Sequence, residues 1–289
     1  PDLSELAVDA LPEDSLNERS FSPVPAVVHR YPDRALLLVF GQCAGSCRFC
    51  TRKNRVGTSA LAFSQQQVAD GIAYIAATPG IRDVILTGGD PLLLDDDRLE
   101  DILTRLHAIP HLEILRVGSR VPVTLPARIT PEVCGLLARF QPLYLNTHFN
   151  HPREIGSASI EACTRLADAG IPLGNQTVLL GGVNDGPAVM IDLCRKLLKM
   201  RVRPYYLHHL DQARGTAHFR VPVERGLEII AAMRGQLSGL GIPQYVVDPP
   251  GGQGKVPLLP ENLLQVGEVL KVRTADGVVE LPNRRRQLI

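Results

Sequence analysis

The chain has no apolar stretch near the roughly 18 to 20 residues that a membrane-spanning helix needs, and it has no excess of either charge. Its 31 Lys and Arg residues stand against 30 Asp and Glu, a net charge of +1 at pH 7, so no broad field draws nucleic acid or anionic lipid. Neither a nucleic acid nor a membrane is expected as a partner. The one basic run, Arg284-Arg285-Arg286, reads as solvated chain. Internal repeats and low-complexity segments are also missing, and 289 residues fit one main α/β unit with appendages. Cysteine is sparse: six in this length are too few for a disulfide scaffold, and free thiolates survive in a reducing compartment. The polar, acidic opening Pro1-Asp2-Leu3-Ser4-Glu5 is unlike a secretory signal. A cytoplasmic protein is expected.

What is present is concentrated. Cys43, Cys47 and Cys50 fall within eight residues, in the run Cys43-Ala44-Gly45-Ser46-Cys47-Arg48-Phe49-Cys50. Three soft thiolates on one loop suit an iron–sulfur cluster, which normally takes four, so one iron would be left open to an outside ligand. Structural zinc asks instead for four closed ligands, usually as two close pairs, and the next cysteine, Cys134, has no partner at pair spacing. Cys134, Cys163 and Cys194 lie in helical patterns and read as small buried hydrophobes.

Strand-like apolar runs near 35–41, 83–87, 112–118, 143–147, 172–180 and 202–207 alternate with amphipathic patterns near 64–77, 96–107, 131–139, 157–169 and 187–200, with another at 222–236. Such alternation predicts a parallel sheet of βαβ units, and six strands predict an incomplete (β/α)6 barrel with its strand C-termini on one mouth. Thr130-Pro131-Glu132 starts one helix and Gly170-Ile171-Pro172 ends another. Residues 238–260 are rich in Gly and Pro, and 268–281 alternates around Asp276-Gly277 as a hairpin. The expected divisions are an N-terminal arm (1–34), the partial barrel (35–236) and a C-terminal appendage (237–289).

Polar residues cluster at the predicted strand ends. Gly88 and Gly89 let backbone approach a ligand, and Asp90 can accept from an amine or hydroxyl; the same residues also suit a tight strand-to-helix turn. Ser119, Arg120, His148 and Gln176 either face the pocket or satisfy backbone groups at the rim. Lys255 closes a Gly251-Gly252-Gln253-Gly254 loop, where a partly desolvated amine could form an imine or simply lie in solvent. Asp211 and Asp248 are structural acids or a clamp for an ammonium, and Arg52 offers a fork for a carboxylate two residues beyond Cys50.

The C-x3-C-x2-C spacing after a strand resembles the signature of the radical S-adenosylmethionine enzymes. Thr51-Arg52, His29-Arg30-Tyr31-Pro32-Asp33-Arg34, Gly118-Ser119-Arg120, Asn146-Thr147-His148, Leu173-Gly174-Asn175-Gln176, Val202-Arg203-Pro204-Tyr205-Tyr206 and Asp248-Pro249-Pro250-Gly251-Gly252-Gln253-Gly254-Lys255 together resemble the lysine 2,3-aminomutase family from about residue 20 to 262. The resemblance implies a radical-SAM partial barrel and a [4Fe–4S] cluster on Cys43, Cys47 and Cys50. The cluster's open iron holds S-adenosylmethionine, with Gly88, Gly89 and Asp90 resembling the motif for the methionyl amine and Ser119, Arg120, His148 and Gln176 as further cofactor contacts. It implies pyridoxal 5′-phosphate on Lys255, with Arg30, Tyr31 and Arg34 at the phosphate. Arg52 would take the carboxylate of L-lysine, and Asp211 with Asp248 its ε-ammonium, acids that glutamate-specific relatives replace. The implied reaction moves the amino group from C2 to C3 after an adenosyl radical removes hydrogen from C3, giving β-lysine. An electron donor such as flavodoxin or ferredoxin would be the partner.

This sequence departs from that family in three places. Val183-Asn184-Asp185 is followed by Gly186 rather than a cysteine and no cysteine lies beyond Cys194, so no zinc is expected. The N-terminal region is shorter, which leaves a homo-oligomer possible but unspecified, and His208 stands where the relative has tyrosine. Two other readings stay open: a related aminomutase whose β-lysine modifies elongation factor P, and a non-catalytic iron–sulfur redox sensor.

Overall fold

Val27–Tyr31 (β1) and Arg34–Phe40 (β2) form an antiparallel hairpin that opens the sheet in the computed structural model, which describes residues 11–259, 262–266, 269–274 and 277–282. From β2 onward the strands run parallel: Asp83–Gly88 (β3), Ile114–Gly118 (β4), Leu143–Thr147 (β5), Leu173–Val178 (β6), Val202–His208 (β7) and Gln244–Val247 (β8). Val256–Pro257 (β9) then pairs antiparallel with β8. The nine strands follow chain order from β1 to β9, and the two end strands are not paired with each other. The sheet is an open partial barrel, as expected, with one more parallel strand than the six expected.

That extra strand, β8, comes from the Gly- and Pro-rich stretch beyond residue 237. Its Tyr245 is 1% exposed and packs onto Gly226, where a Cβ would stand 2.1 Å from the Tyr245 ring. Four residues are too few for alternation to show against the surrounding turn signals, so only the neighbouring β7 edge reveals the strand.

Helices cover the outer face: Gln65–Ala76 (α1), Asp96–His107 (α2), Val121–Thr124 (α3), Pro131–Ala138 (α4), Ser157–Asp168 (α5), Pro187–Lys199 (α6) and Val223–Arg234 (α7). Their boundaries follow cap chemistry. Ser64 and Gln67 form a capping box on α1, Asp95 accepts from the Arg98 N–H at the start of α2, and Thr130 with Pro131 starts α4. In α2 the buried Leu99, Ile102, Leu103 and Leu106 recur at helical spacing and press on the sheet. Truncating one such leucine to alanine would cost about 2–5 kcal/mol. Cys134, Cys163 and Cys194 are buried and free, on α4, α5 and α6.

Leu263–Gln265 (β10), Val269–Thr274 (β11) and Gly277–Pro282 (β12) make a separate antiparallel sheet. The expected hairpin is β11 and β12, with Thr274 opposite Gly277, while Asp276 and the 284–286 arginines lie outside the described residues. No helix among the described residues is long and apolar enough to cross a membrane.

Candidate active site

The strand ends and the loops above them enclose a cavity of about 580 Å³. Its lining brings together Glu18 from the N-terminal arm, Arg30, Tyr31 and Arg34 from the hairpin, Thr51 and Arg52 from the cysteine loop, His148 and Gln176 from β5 and β6, and Lys255. Residues scattered over more than two hundred positions therefore share one space.

The cysteines lie on the loop between β2 and α1, with Cys43 exposed and Cys47 and Cys50 partly covered. The Arg120 guanidinium donates to Cys47 Sγ at 3.2 Å, and the Arg52 backbone N–H donates to Cys50 Sγ at 3.3 Å. Burial, with Asp90 and the other two cysteines adding to it, pushes the Cys43 thiol up to about 12, so thiolate character at this loop calls for a cation. Iron supplies one. No three His, Cys, Asp or Glu side chains among the described residues converge on a single ion; cluster cysteines bind separate irons, so a [4Fe–4S] group does not ask for that convergence.

Gly88 and Gly89 let two stretches of backbone meet. A Cβ on Gly88 would stand 2.3 Å from the Phe40 carbonyl oxygen, and one on Gly89 2.2 Å from that of Gln42. The Gly89 N–H donates to Phe40 O at 2.6 Å and the Asp90 N–H to Gln42 O at 2.8 Å. The glycine pair thus lets the end of β3 lie directly against the root of the cysteine loop. Asp90 has a structural part as well. Its carboxylate, 4% exposed, accepts from the N–H groups of Leu92, Arg120 and Val121 and from the Ser119 hydroxyl. Four protein donors thus hold the Asp90 carboxylate in place, the Ser119 hydroxyl among them. Asp90 and Ser119 fasten the β3 and β4 loops together and aim Arg120. That guanidinium also donates to His148 O at 3.0 Å and pairs with Glu154.

Arg52 is not a free fork. Its Nε donates to Glu18 Oε2 at 2.9 Å and its NH2 to Oε1 at 2.5 Å, while NH1 reaches only the Gly88 carbonyl at 3.3 Å and Thr87 Oγ1 at 3.4 Å. One edge belongs to Glu18, and the side chain lines the cavity. Burial opposes charge on Glu18, but the Arg52 and Arg55 guanidiniums outweigh it and hold the carboxyl below its usual range.

At the far side Lys255 Nζ donates to Asp248 Oδ2 at 2.6 Å, and Asp248 is 8% exposed. His208 Nδ1 stands 3.9 Å from the same oxygen, and His208 Nε2 lies 3.2 Å from Gln176 Oε1. Asp211 is close enough to feel both Asp248 and Lys255: burial, then the Asp248 charge, pushes its carboxyl up to about 7. Burial with the charges of Arg120 and Lys255 pushes His148 down to about 4, and burial with Lys255 and His148 leaves His208 neutral as well. Asp211 Oδ1, Asp248 Oδ1, His148 Nδ1 and Arg30 Nε are all buried without a partner among the described residues. Such atoms cost free energy unless a ligand or water meets them.

Tyr31 accepts from the Lys255 N–H at 3.0 Å, tying the glycine loop to the hairpin, and the Arg34 guanidinium lies 3.7 Å over the Tyr31 ring while pairing with Asp33. Arg30 donates to Leu16 O at 2.6 Å, leaving its Nε for an anion. The amine of Lys255 and the unpartnered Arg30 Nε, on two residues that line one cavity, fit an aldehyde cofactor with an anionic tail, which pyridoxal phosphate is. Sequence reasoning missed Glu18, because one glutamate in a polar arm carries no periodic or motif signal. It also missed the Arg116–Asp83 pair (2.8 Å) in the cavity lining.

Residues 37–194 match the model of the radical SAM superfamily, and residues 230–282 match that of lysine-2,3-aminomutase. The chain is 51% identical to an L-lysine 2,3-aminomutase of Fusobacterium nucleatum, over 92% of this chain and 63% of that one. It is 50% identical to one of Clostridium subterminale, over 96% and 67%. A glutamate 2,3-aminomutase of Clostridioides difficile is 46% identical over 92% and 63%. The chain thus spans about two thirds of the length of these curated relatives. A radical SAM methyltransferase from Sphaerobacter thermophilus superposes with a TM-score of 0.51 at 21% identity, over 77% of this chain and 68% of that one, which speaks to the fold alone. By both family models and by relatives at half identity across most of its length, the chain belongs to the radical SAM superfamily and, within it, to the lysine 2,3-aminomutase family.

Proposed function

We propose that this protein is a 2,3-aminomutase that converts L-lysine to β-lysine. One observation carries the choice of lysine: buried Asp248 already accepts from an alkyl ammonium, that of Lys255, at 2.6 Å, and buried Asp211 lies close enough to feel both charges. A lysine side chain ends in the same group. When the Lys255 nitrogen turns to covalent work as a neutral amine, the acid pair is released to hold the ammonium of the substrate.

The remaining roles follow from position. Arg52, which lines the cavity, offers the NH1 side of its guanidinium to the substrate carboxylate. Lys255, with Tyr31, Arg30 and Arg34, would hold pyridoxal phosphate. Cys43, Cys47 and Cys50 would ligate the cluster, and Arg120, His148 and Gln176 would line the S-adenosylmethionine side. When bound, the cluster with S-adenosylmethionine supplies the hydrogen-abstracting radical and pyridoxal phosphate the carbonyl that carries the migrating nitrogen. The chain itself fixes both ends of the substrate, so that one C–H bond faces the radical source, and keeps water from the intervening space. Neutral His148 and His208 offer no acid that would quench a basic nitrogen at neutral pH. A one-electron donor of the flavodoxin or ferredoxin kind and a reducing cytoplasm complete this reading.

Anaerobic incubation of the reconstituted protein with isotopically labelled lysine, followed by product identification, tests it. The expected product is labelled β-lysine, with glutamate turned over poorly because its side-chain carboxylate would face Asp211 and Asp248. Glutamate turned over as efficiently as lysine, or no β-amino product at all, would overturn the assignment.

A further inference from the structure

We propose that Glu18 is a positioning residue for the substrate carboxylate: it grips one edge of the Arg52 guanidinium and leaves NH1 with two long contacts only, in a side chain that lines the same cavity as Lys255. The inference rests on the aminomutase reading, in which Arg52 holds the carboxylate, and assigns a role to a residue of the N-terminal arm.

Arginine carries five N–H donors in a planar fork. Glu18 takes Nε–H, at 2.9 Å to Oε2 and 3.1 Å to Oε1, and one NH2 donor at 2.5 Å. Those are the short contacts; NH1 has only the two long ones, at 3.3 and 3.4 Å. A bidentate grip on the Nε edge fixes the plane of the guanidinium, so its end-on edge has one orientation before any ligand arrives. A long, flexible side chain that is already immobile loses less entropy when a carboxylate binds it.

Glu18 is itself held from several sides. It is 3% exposed; Arg55 NH1 donates to its Oε2 at 3.1 Å, and Asp14 caps its backbone N–H at 2.9 Å and that of Arg19 at 3.1 Å. Leu16, two residues earlier, accepts from Arg30. The arm is therefore fastened to both the cysteine loop and the hairpin, with Glu18 at the fastening point. The opposite possibility is that Glu18 competes with the substrate for Arg52 and swings away on binding. That would leave Arg55, buried and with Asp14, 4.0 Å away, as its only other carboxylate among the described residues, nearly unpaired, so the geometry favours a fixed support.

The test compares two ligands on the reconstituted holoenzyme by calorimetric titration: lysine, and 1,5-diaminopentane, which keeps the chain and ammonium but lacks the carboxylate. Glu18→Gln, which keeps the shape and loses the charge, should weaken lysine about tenfold, raise KM for lysine by a similar factor with kcat within about twofold, and leave diaminopentane unchanged. Unchanged or tighter lysine binding in the variant overturns the proposal. Equal weakening of both ligands also overturns it, since that is what general loosening of the arm would do. If Glu18→Gln does not fold, Glu18→Asp, which keeps the charge on a shorter arm, should show a smaller loss confined to lysine. Wild-type protein that neither binds lysine nor forms β-lysine would defeat the aminomutase reading itself, whereas failure of the Glu18 proposal alone leaves the wild-type reaction intact.

Discussion

Lys255 Nζ and Asp248 Oδ2 stand 2.6 Å apart, an ion pair between the last residue of a glycine loop and a carboxylate just past the end of β8. The pair couples the proposed cofactor amine to the proposed substrate-ammonium site. Borohydride reduction of the resting pyridoxal-loaded enzyme should label Lys255 and no other lysine. Peptide mapping reads the outcome, and a label elsewhere would detach this loop from the chemistry.

Asp211 gives a pH signature. With its carboxyl near 7, it is neutral in acid and anionic above, so KM for lysine should fall as pH rises through about 7, and Asp211→Asn should raise KM and remove that step. Steady-state assays from pH 6 to 8.5 decide it; a step that persists in Asp211→Asn belongs to another group.

The same residue predicts a stability effect. Its folded-state value of about 7 exceeds the ordinary 3.8, so the folded chain keeps a proton that the unfolded chain has lost. Stability is therefore highest below about 4 for this group and is lost as pH climbs to about 7. Asp211→Asn should be more stable than wild type at pH 8, by an amount on the order of 1–4 kcal/mol, and match it below pH 4. Melting curves across that range provide the check.

Gly89→Ala tests the crossing at the cysteine loop. Its Cβ would stand 2.2 Å from the Gln42 carbonyl oxygen, backbone against backbone, so the chain must move. A loss of roughly 1–3 kcal/mol is expected, together with lower iron content after anaerobic reconstitution. Normal iron loading would mean that β3 does not shape the loop.

Cys47→Ala should abolish the iron–sulfur absorbance and the activity together, while Arg120→Met should leave iron bound but shift the cluster's reduction potential, since Arg120 donates to Cys47 Sγ at 3.2 Å. Iron analysis and a spectroscopic redox titration separate the two. Full iron in Cys47→Ala would sink the ligand assignment.

Much of the architecture was legible in the sequence because it is local. The helix from 96 to 107 announced itself by its amphipathic pattern, and the strand ahead of the cysteines by six apolar residues in a row. The cysteine loop was legible for the same reason, its three thiols being close in sequence and needing no fold to be seen together. The short strand β8 was hidden, as was the bonding of Asp90: its donors come from Leu92, Ser119, Arg120 and Val121, three of them about thirty residues away.

By itself the sequence determined the order of elements, the thiolate loop and the charged residues available for a site, since periodicity, capping and spacing act over a few residues. Only the tertiary structure decided which charges meet. Glu18 on Arg52 spans 34 positions and Lys255 on Tyr31 spans 224, and hydrogen bonds over such separations depend on strand order and loop crossing. They follow from burial, which forces each ionised group in the barrel mouth to find a partner that the packing of the whole chain brings to it.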